Sequence, residues 1–237
     1  MEKIKKLLQI LKKEQIDGYI VPKNDEFFGE YIPDFDDRLK YISNFSGSYG
    51  FALILKDSKY LFVDGRYTLQ AKKQSGKIFK IKTFPNQMPY HILKNKKLLI
   101  GYDSKLFTKK TLDLFFGNSR CKFKECKRNL IDQIWKRKIK KNSKKFYILP
   151  SHSIGQSYKY KINKISDNLK KVGADFQFIS ASENNAWLLN IRGRDSEYSP
   201  LPESFVLIDK NKKVDFFCDL KKVTTSFKKK FKHVNFI

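Results

Sequence analysis

The chain has 237 residues, a length typical of one or two domains. Hydrophobic residues make up 41% and aromatic residues 15%, which is enough for a buried core and excludes an intrinsically disordered chain despite 31% charged residues. The formal net charge of +26 raises the question of a nucleic-acid or membrane partner.

The positive charge comes mainly from lysines spread along the whole chain. Only seven of the 50 basic residues are arginine, whereas nucleic-acid surfaces more often use arginine for its planar fork of donors. The excess of Lys, Ile, Asn, Phe and Tyr over Ala, Gly, Arg and Pro is the bias that an AT-rich genome imposes on any protein. We therefore predict no specific nucleic-acid partner, and a basic nucleic-acid-binding protein is the weaker alternative.

The N-terminal segment, residues 1–13, is basic and amphipathic. Four aliphatic residues from Ile4 to Leu11 recur at helical spacing, and an apolar strand follows within a few residues. A transit peptide or a membrane-surface helix has the same pattern, but a helix that packs on the sheet of its own domain is the better interpretation. No stretch approaches the roughly 18 apolar residues of a membrane span, so we predict no membrane partner.

Cysteine and histidine residues give no sign of a metal site. The three cysteines are Cys121, Cys126 and Cys218. Their odd number and spacing support neither a disulfide framework nor half of a zinc site, and favour a reducing compartment. The three histidines, His91, His152 and His233, lie in separate segments without acidic partners at ligand spacing. From these residues we predict no catalytic residue and no metal ligand.

The first half of the chain alternates predicted helices with predicted strands. After the helix at 3–13, the predicted elements are a strand at 18–21, a helix at 38–42, a hairpin at 51–55 and 60–63, a helix at 66–73, a strand at 97–102 and a helix at 108–116. This order predicts an α/β domain with a mixed sheet over residues 1–137. A basic stretch with few apolar residues then predicts a linker at 138–145 and a second domain at 146–237.

The second half of the chain repeats the order of the first. The matching segments are 11–21 with 169–179, 41–47 with 187–193, and the hairpin at 51–63 with 204–219. Three ordered matches favour an internal duplication, in which Asp64 corresponds to Asp219. Only 18 residues follow Asp219, whereas in the first copy the chain runs 71 residues beyond Asp64 to reach Trp135. We therefore expect the second domain to be incomplete, with an unpaired sheet edge and an open apolar face.

Several runs of residues resemble the N-terminal domains of the creatinase/prolidase/aminopeptidase P superfamily (metallopeptidase family M24). These runs are Ile16–Pro22, Asp37–Leu39, Ile42–Ser48, Val63–Ala71, Asn129–Trp135 and Ala186–Asp195. Two such domains in tandem resemble the front of the three-domain aminopeptidase P (Xaa-Pro aminopeptidase) type. The resemblance implies tandem creatinase/prolidase N-terminal-like domains, each a mixed sheet flanked by helices, with the second incomplete.

The resemblance also implies an activity: removal of the N-terminal residue that precedes proline. In that family the chemistry belongs to a C-terminal "pita-bread" domain, where two divalent metals, usually manganese, activate a bridging water. We expect that domain to be absent from this sequence, so that the chain holds no cofactor, is inactive alone, and helps to shape the substrate cleft and assembly.

The implied partners are the missing catalytic domain, proline-containing peptides bound through that domain, and a second copy of the chain in a homodimer. The implied location is cytoplasmic. The alternative class is a non-enzymatic protein-binding module derived from the same family.

The run Asp64-Gly65-Arg66-Tyr67 stands where a predicted strand ends and a helix begins. Asp64 can accept backbone N–H bonds there, and Gly65 permits a tight turn. The structural interpretation is a motif that caps the helix and pins the loop, and the functional one is that Arg66 faces the peptide-binding cleft. The second copy keeps Asp219 but not the three residues after Asp64, which favours a role special to the first copy.

Arg66 is therefore the substrate-cleft candidate. The predicted structural-motif residues are Asp64, Gly65, Tyr67, Gly47, Trp187, Arg192 and Gly193.

Overall fold

The computed structural model describes residues 1–138 and 143–237. The chain divides into two compact units, the first formed by Met1–Asp25 and Asp34–Ile139, the second by Glu26–Pro33 and Lys140–Ile237. Residues 26–33 thus belong to the second unit, although the sequence prediction assigned them to the first domain. Half of the predicted linker at 138–145, namely residues 139–142, lies outside the described residues.

The first unit is a six-stranded mixed sheet flanked by helices. Its helices are α1 (Glu2–Lys13), α2 (Arg38–Ser43), α3 (Thr68–Ser75), α4 (Pro89–Leu93) and α5 (Lys109–Phe116). Its strands are β1 (Gly18–Pro22), β2 (Gly50–Leu55), β3 (Lys59–Asp64), β4 (Lys80–Phe84), β5 (Leu99–Tyr102) and β6 (Lys122–Glu125). The strand order is β4-β3-β2-β1-β5-β6, antiparallel from β1 to β3 and parallel elsewhere. The predicted α/β class with a mixed sheet is confirmed.

Both faces of the first sheet are covered, because successive side chains of each strand point to opposite faces. One face packs on α1, whose Leu7 and Leu11 are fully buried. On the other face the ring of Phe51 stacks on Phe62 at 4.7 Å and on Phe115 of α5 at 4.2 Å between centroids. The amphipathic N-terminal segment is therefore a core helix of its own domain, as predicted.

Three short elements of the first unit escaped the sequence prediction: β4, α4 and β6. The alternation of Lys80, Ile81, Lys82 and Thr83 is the period-two signal that would have identified β4. Helix α4 has only five residues and begins with Pro89 at its first turn. Strand β6 is a short lysine-rich edge strand, a composition that protects sheet edges but weakens the strand signal.

The second unit repeats this plan with fewer strands in its main sheet. Its helices are α6 (Tyr158–Lys171), α7 (Ser182–Leu189) and α8 (Thr225–Lys229). Its strands are β7 (Tyr147–Ile148), β8 (Phe176–Ile179), β9 (Ile191–Arg192), β10 (Ser204–Asp209), β11 (Val214–Cys218) and β12 (Val234–Phe236). The main sheet has the order β12-β11-β10-β8, and β7 pairs with β9. The pairings of β8, β10, β11 and β12 have the orientations of β1, β2, β3 and β4, which supports the internal duplication.

The duplication extends to backbone detail at corresponding helix ends. Helix α2 ends at Asn44 with φ 65°, and α7 ends at Asn190 with φ 56°. The turn between α1 and β1 contains Gln15 with φ 55°, and the turn between α6 and β8 contains Gly173 with φ 68°. Left-handed residues at helix C-termini satisfy the last carbonyl groups of the helix, so both copies reverse the chain by the same means.

Strand β8 differs from its counterpart β1 in what surrounds it. Strand β1 lies between β2 and β5, and Ile20 at its centre is 1% exposed. Among the described residues β8 pairs with β10 alone, and Phe176 and Phe178 are 61% and 60% exposed. The second sheet therefore has the open apolar face and the unpaired edge expected from the sequence.

Candidate functional site

Asp64 organises the end of β3 and the start of the next helix. A short 3-10 turn, Gly65–Tyr67, leads from β3 into α3. The Asp64 carboxylate accepts the backbone N–H of Arg66 with 2.9 Å between N and Oδ1, which satisfies a donor left free at the helix start. The Arg66 guanidinium bonds back to the same carboxylate, with 2.6 Å between Nη2 and Oδ2, and thereby lowers the pKa of Asp64.

The rest of the Arg66 side chain is open to solvent. It is 76% exposed, and its guanidinium carbon lies 5.4 Å from the centre of the Tyr67 ring. Ion pairs at this exposure contribute little to stability. The guanidinium is thus held near the end of β3 without being required for the capping of the helix.

Tyr67 and Gly47 pin the loop beside this motif. The Tyr67 ring packs edge-on against buried Phe45 at 5.9 Å, and its hydroxyl is hydrogen-bonded to Ser48 with 2.7 Å between oxygens. A Cβ at Gly47 would lie 2.2 Å from the Phe45 ring. The loop therefore needs glycine at this position so that the Phe45 ring can lie beneath it.

Gly65 does not have the role expected from the sequence. Its φ lies outside the left-handed region, and a Cβ there would meet no atom within 4 Å. The turn is made by the Asp64 carboxylate and the Arg66 N–H, which any residue at position 65 permits. The geometry does not require glycine here.

We expect Asp64→Ala to lower the free energy of unfolding by about 1 kcal/mol, because the Arg66 N–H loses its acceptor. Arg66→Ala should change it by less than about 0.5 kcal/mol, since the side chain is exposed. Urea denaturation followed by circular dichroism measures both variants. If Arg66→Ala lowers the free energy of unfolding more than Asp64→Ala does, the Asp64 carboxylate is not the main stabilising group of this motif.

The second copy keeps the aspartate cap but has different side chains around it. Asp219 accepts the backbone N–H of Lys221 at 3.0 Å and starts the 3-10 turn Leu220–Lys222. Lys222, at the position of Tyr67, is buried and forms an ion pair with buried Asp195. Asp195 also accepts the backbone N–H of Glu203 at 2.9 Å. Sequence reasoning missed this pair, although Asp195 closes the run that carries the family resemblance.

Trp187 lies above a buried ammonium group. Its indole is 58% exposed, and the Lys161 Nζ lies 4.3 Å from the ring centre. The same ammonium donates to the backbone carbonyl of Trp187 and to Asn190 Oδ1, the latter at 2.6 Å. Burial, together with a smaller contribution from the nearby positive charge of Arg192, lowers the pKa of Lys161 to about 8. This lysine fixes the C-terminal end of α7.

Arg192 and Gly193 complete that helix end. Arg192 donates to the carbonyl of Ala186 at 2.9 Å, as basic side chains commonly do at helix C-termini. Gly193 allows close backbone approach, because a Cβ there would lie 2.7 Å from the Leu201 oxygen and 2.8 Å from the Pro202 Cα. Both residues thus contact backbone atoms around the end of α7.

The predicted site residues fall into two groups. One group lies around a single loop of the first unit and consists of Gly47, Asp64, Gly65, Arg66 and Tyr67. The other lies around the end of α7 in the second unit and consists of Trp187, Arg192 and Gly193.

Over residues 1–138 and 143–237, no three or more His, Cys, Asp or Glu side chains are grouped to hold a metal ion. All three cysteines are free thiols. No helix in the described part of the chain is both long and apolar enough to span a membrane.

Two α/β units that share the order and pairing of four strands, with an aspartate cap after β3 in one and after β11 in the other, define a tandem-duplicated domain protein. Models of the creatinase/prolidase N-terminal domain match residues 3–133 and 136–236. The chain therefore belongs to the creatinase/prolidase N-terminal domain family.

Curated relatives carry the same pair of domains within longer chains. Xaa-Pro aminopeptidase 1 of Dictyostelium discoideum is 34% identical over 96% of this chain and 39% of its own length. A probable Xaa-Pro aminopeptidase P of Coprinopsis cinerea is 32% identical over 88% of this chain and 36% of its own. The chain thus spans under two fifths of these relatives, and corresponds to the N-terminal portion of Xaa-Pro aminopeptidase-like proteins.

A solved structure shares the fold along the chain. The X-prolyl aminopeptidase of Caenorhabditis elegans, described as a cytosolic enzyme with a di-nuclear active site, matches with a TM-score of 0.90 and 24% identity. The match covers 99% of this chain and 42% of that one. At this identity the likeness establishes the fold.

Proposed function

We propose that this chain is the non-catalytic N-terminal part of an Xaa-Pro aminopeptidase, an enzyme that removes the N-terminal residue preceding proline. The observation that carries the proposal is the match of both units to N-terminal domain models while the relatives are more than twice as long. The described residues offer no set of ligands for two divalent metals such as manganese. We assign those metals to a C-terminal catalytic domain, and no step of the reaction is assigned to this chain.

Within that enzyme the two units help to shape the peptide cleft and the assembly. Arg66 is the residue we propose for contact with the peptide, because its guanidinium is exposed and held at a strand end by Asp64. An arginine fork pairs well with a carboxylate or a carbonyl group. The proposed partners are the catalytic domain, proline-containing peptides bound through it, and a second copy in a homodimer. Free thiols and the cytosolic description of the C. elegans relative favour a cytoplasmic location.

The open face of the second sheet supports a longer protein. In the first unit the equivalent face is buried beneath α4 and α5, and β5 pairs with the edge of β1. We propose that a further helix-and-strand segment covers Phe176 and Phe178 in the whole enzyme. The same segment would pair with the free edge of β8.

The test of the proposed function is an assay of the purified 237-residue chain with manganese and an Xaa-Pro peptide. We expect no release of the N-terminal residue, whereas the full-length Dictyostelium enzyme at equal concentration should release it. Metal-dependent release by the 237-residue chain would overturn the assignment of the chemistry to another domain. Sequencing the gene beyond codon 237 separates the enzyme from a binding module, because only the enzyme requires side chains that hold the two divalent metals.

A further inference from the structure

An open groove of about 740 Å³ lies in the second unit, between α6, the turn from β10 to β11, and the residues that lead into β12. Four lysines from these elements line it: Lys159, Lys212, Lys213 and Lys232. The other polar side chains of the lining are Asn163, Asn211, Asn235, His233 and Tyr158. None of the described residues that line the groove carries a carboxylate.

The positive charge of the groove is largely uncompensated. Among residues 1–138 and 143–237, no carboxylate lies within ion-pair distance of Lys159, Lys212 or Lys232. Asp215 is 3.8 Å from the Lys213 ammonium, and it also accepts the Asn235 amide at 3.2 Å. Like charges around a concave surface focus the field into the groove, so a bound anion would relieve their mutual repulsion.

The chemistry of the lining favours phosphate groups. Lysine ammoniums act as compact point charges that suit phosphate oxygens. Asparagine amides supply further donors at the same surface. The volume lies in the range of small-molecule sites.

The lining does not favour a nucleic-acid strand. Single-stranded nucleic acids use exposed aromatic rings for base stacking. The lining has no Phe or Trp, and its one tyrosine, Tyr158, already packs against Phe231 with 5.0 Å between centroids. We propose that this groove binds a small anion carrying several phosphate groups, held by Lys159 of α6 and Lys232 before β12.

Calorimetric titration with inorganic tripolyphosphate at near-physiological salt tests the proposal. We expect saturable binding to the wild-type chain, and at least tenfold weaker binding to Lys159→Glu/Lys232→Glu. The matched control is Lys72→Glu/Lys109→Glu, which changes two exposed lysines of the first unit and lowers the net charge of +26 by the same amount. The control should bind within about twofold of wild type, because screening confines strong attraction to about 8 Å at this salt.

Thermal melting followed by circular dichroism shows whether the two glutamate substitutions disturb folding. If they do, the milder double variant Lys159→Gln/Lys232→Gln replaces them, because it removes both positive charges without adding negative ones. This pair should also weaken binding several-fold. Three results would overturn the proposal: no saturable binding to the wild type, an equal loss in the control, or tighter groove-dependent binding of a single-stranded DNA oligonucleotide than of tripolyphosphate.

Discussion

Asp195→Ala should lower the free energy of unfolding of the second unit by roughly 3–5 kcal/mol, the usual loss when one partner of a buried ion pair is removed. Both side chains of the Asp195–Lys222 pair are 3% exposed. Without the carboxylate, the ammonium stays buried and unpaired, and the Glu203 N–H loses its acceptor. Urea denaturation monitored by Trp187 fluorescence in a Trp135→Phe background measures the change, because these are the only two tryptophans.

The matched control is Asp175→Ala, which breaks the exposed pair between Lys210 and Asp175. Its side chains are 48% and 66% exposed, and the loss should stay below about 1 kcal/mol. The double variant Asp195→Asn/Lys222→Met should recover most of the stability, since it removes both buried charges together and keeps an amide oxygen as acceptor for the Glu203 N–H. If Asp195→Ala lowers the free energy of unfolding no more than Asp175→Ala does, the buried Asp195–Lys222 pair does not stabilise the second unit.

Gly193→Ala should lower the free energy of unfolding by roughly 1–3 kcal/mol, because it overpacks a closed site. The new Cβ would lie 2.7 Å from the Leu201 oxygen and 2.8 Å from the Pro202 Cα. These are backbone atoms, so no side-chain rotation relieves the clash. The same denaturation experiment measures the loss.

Gly65→Ala provides the comparison for Gly193→Ala. A Cβ at this position meets nothing within 4 Å, and a compatible Gly→Ala change stabilises by about 0.4–1 kcal/mol through the unfolded chain. We therefore expect opposite signs for the two substitutions. Equal destabilisation by both would show that the two glycines have the same role.

The sequence predicted the order of helices and strands better than it predicted contacts between side chains that are distant in sequence. Three ordered matches predicted that the second half repeats the first, and β8, β10, β11 and β12 pair in the orientations of β1 to β4. Hydrophobic alternation is local information, so the pattern can be read in each copy. Asp64 was recognised as a cap from its position between a strand and a helix, which is also local information. Such features depend on a few adjacent residues.

Burial of charged groups was not predictable in the same way. Lys161 and Lys222 are two among 43 lysines, and nothing nearby in the sequence distinguishes them from the exposed ones. Their burial depends on Trp187 and Asp195, which are 26 and 27 residues away. The placement of residues 26–33 follows likewise from a distant contact, the stacking of Phe27 on Phe205.

The unpaired edge of β8 has a consequence for how concentrated solutions of this chain behave. Exposed backbone donors and acceptors beside Phe176 and Phe178 offer a template on which another β-strand can add, the usual first step toward fibrils or precipitate. A net charge of +26 opposes such encounters through long-range repulsion between molecules. Since the Debye length shrinks to about 3 Å at 1 M salt, colloidal stability of the chain depends on low ionic strength.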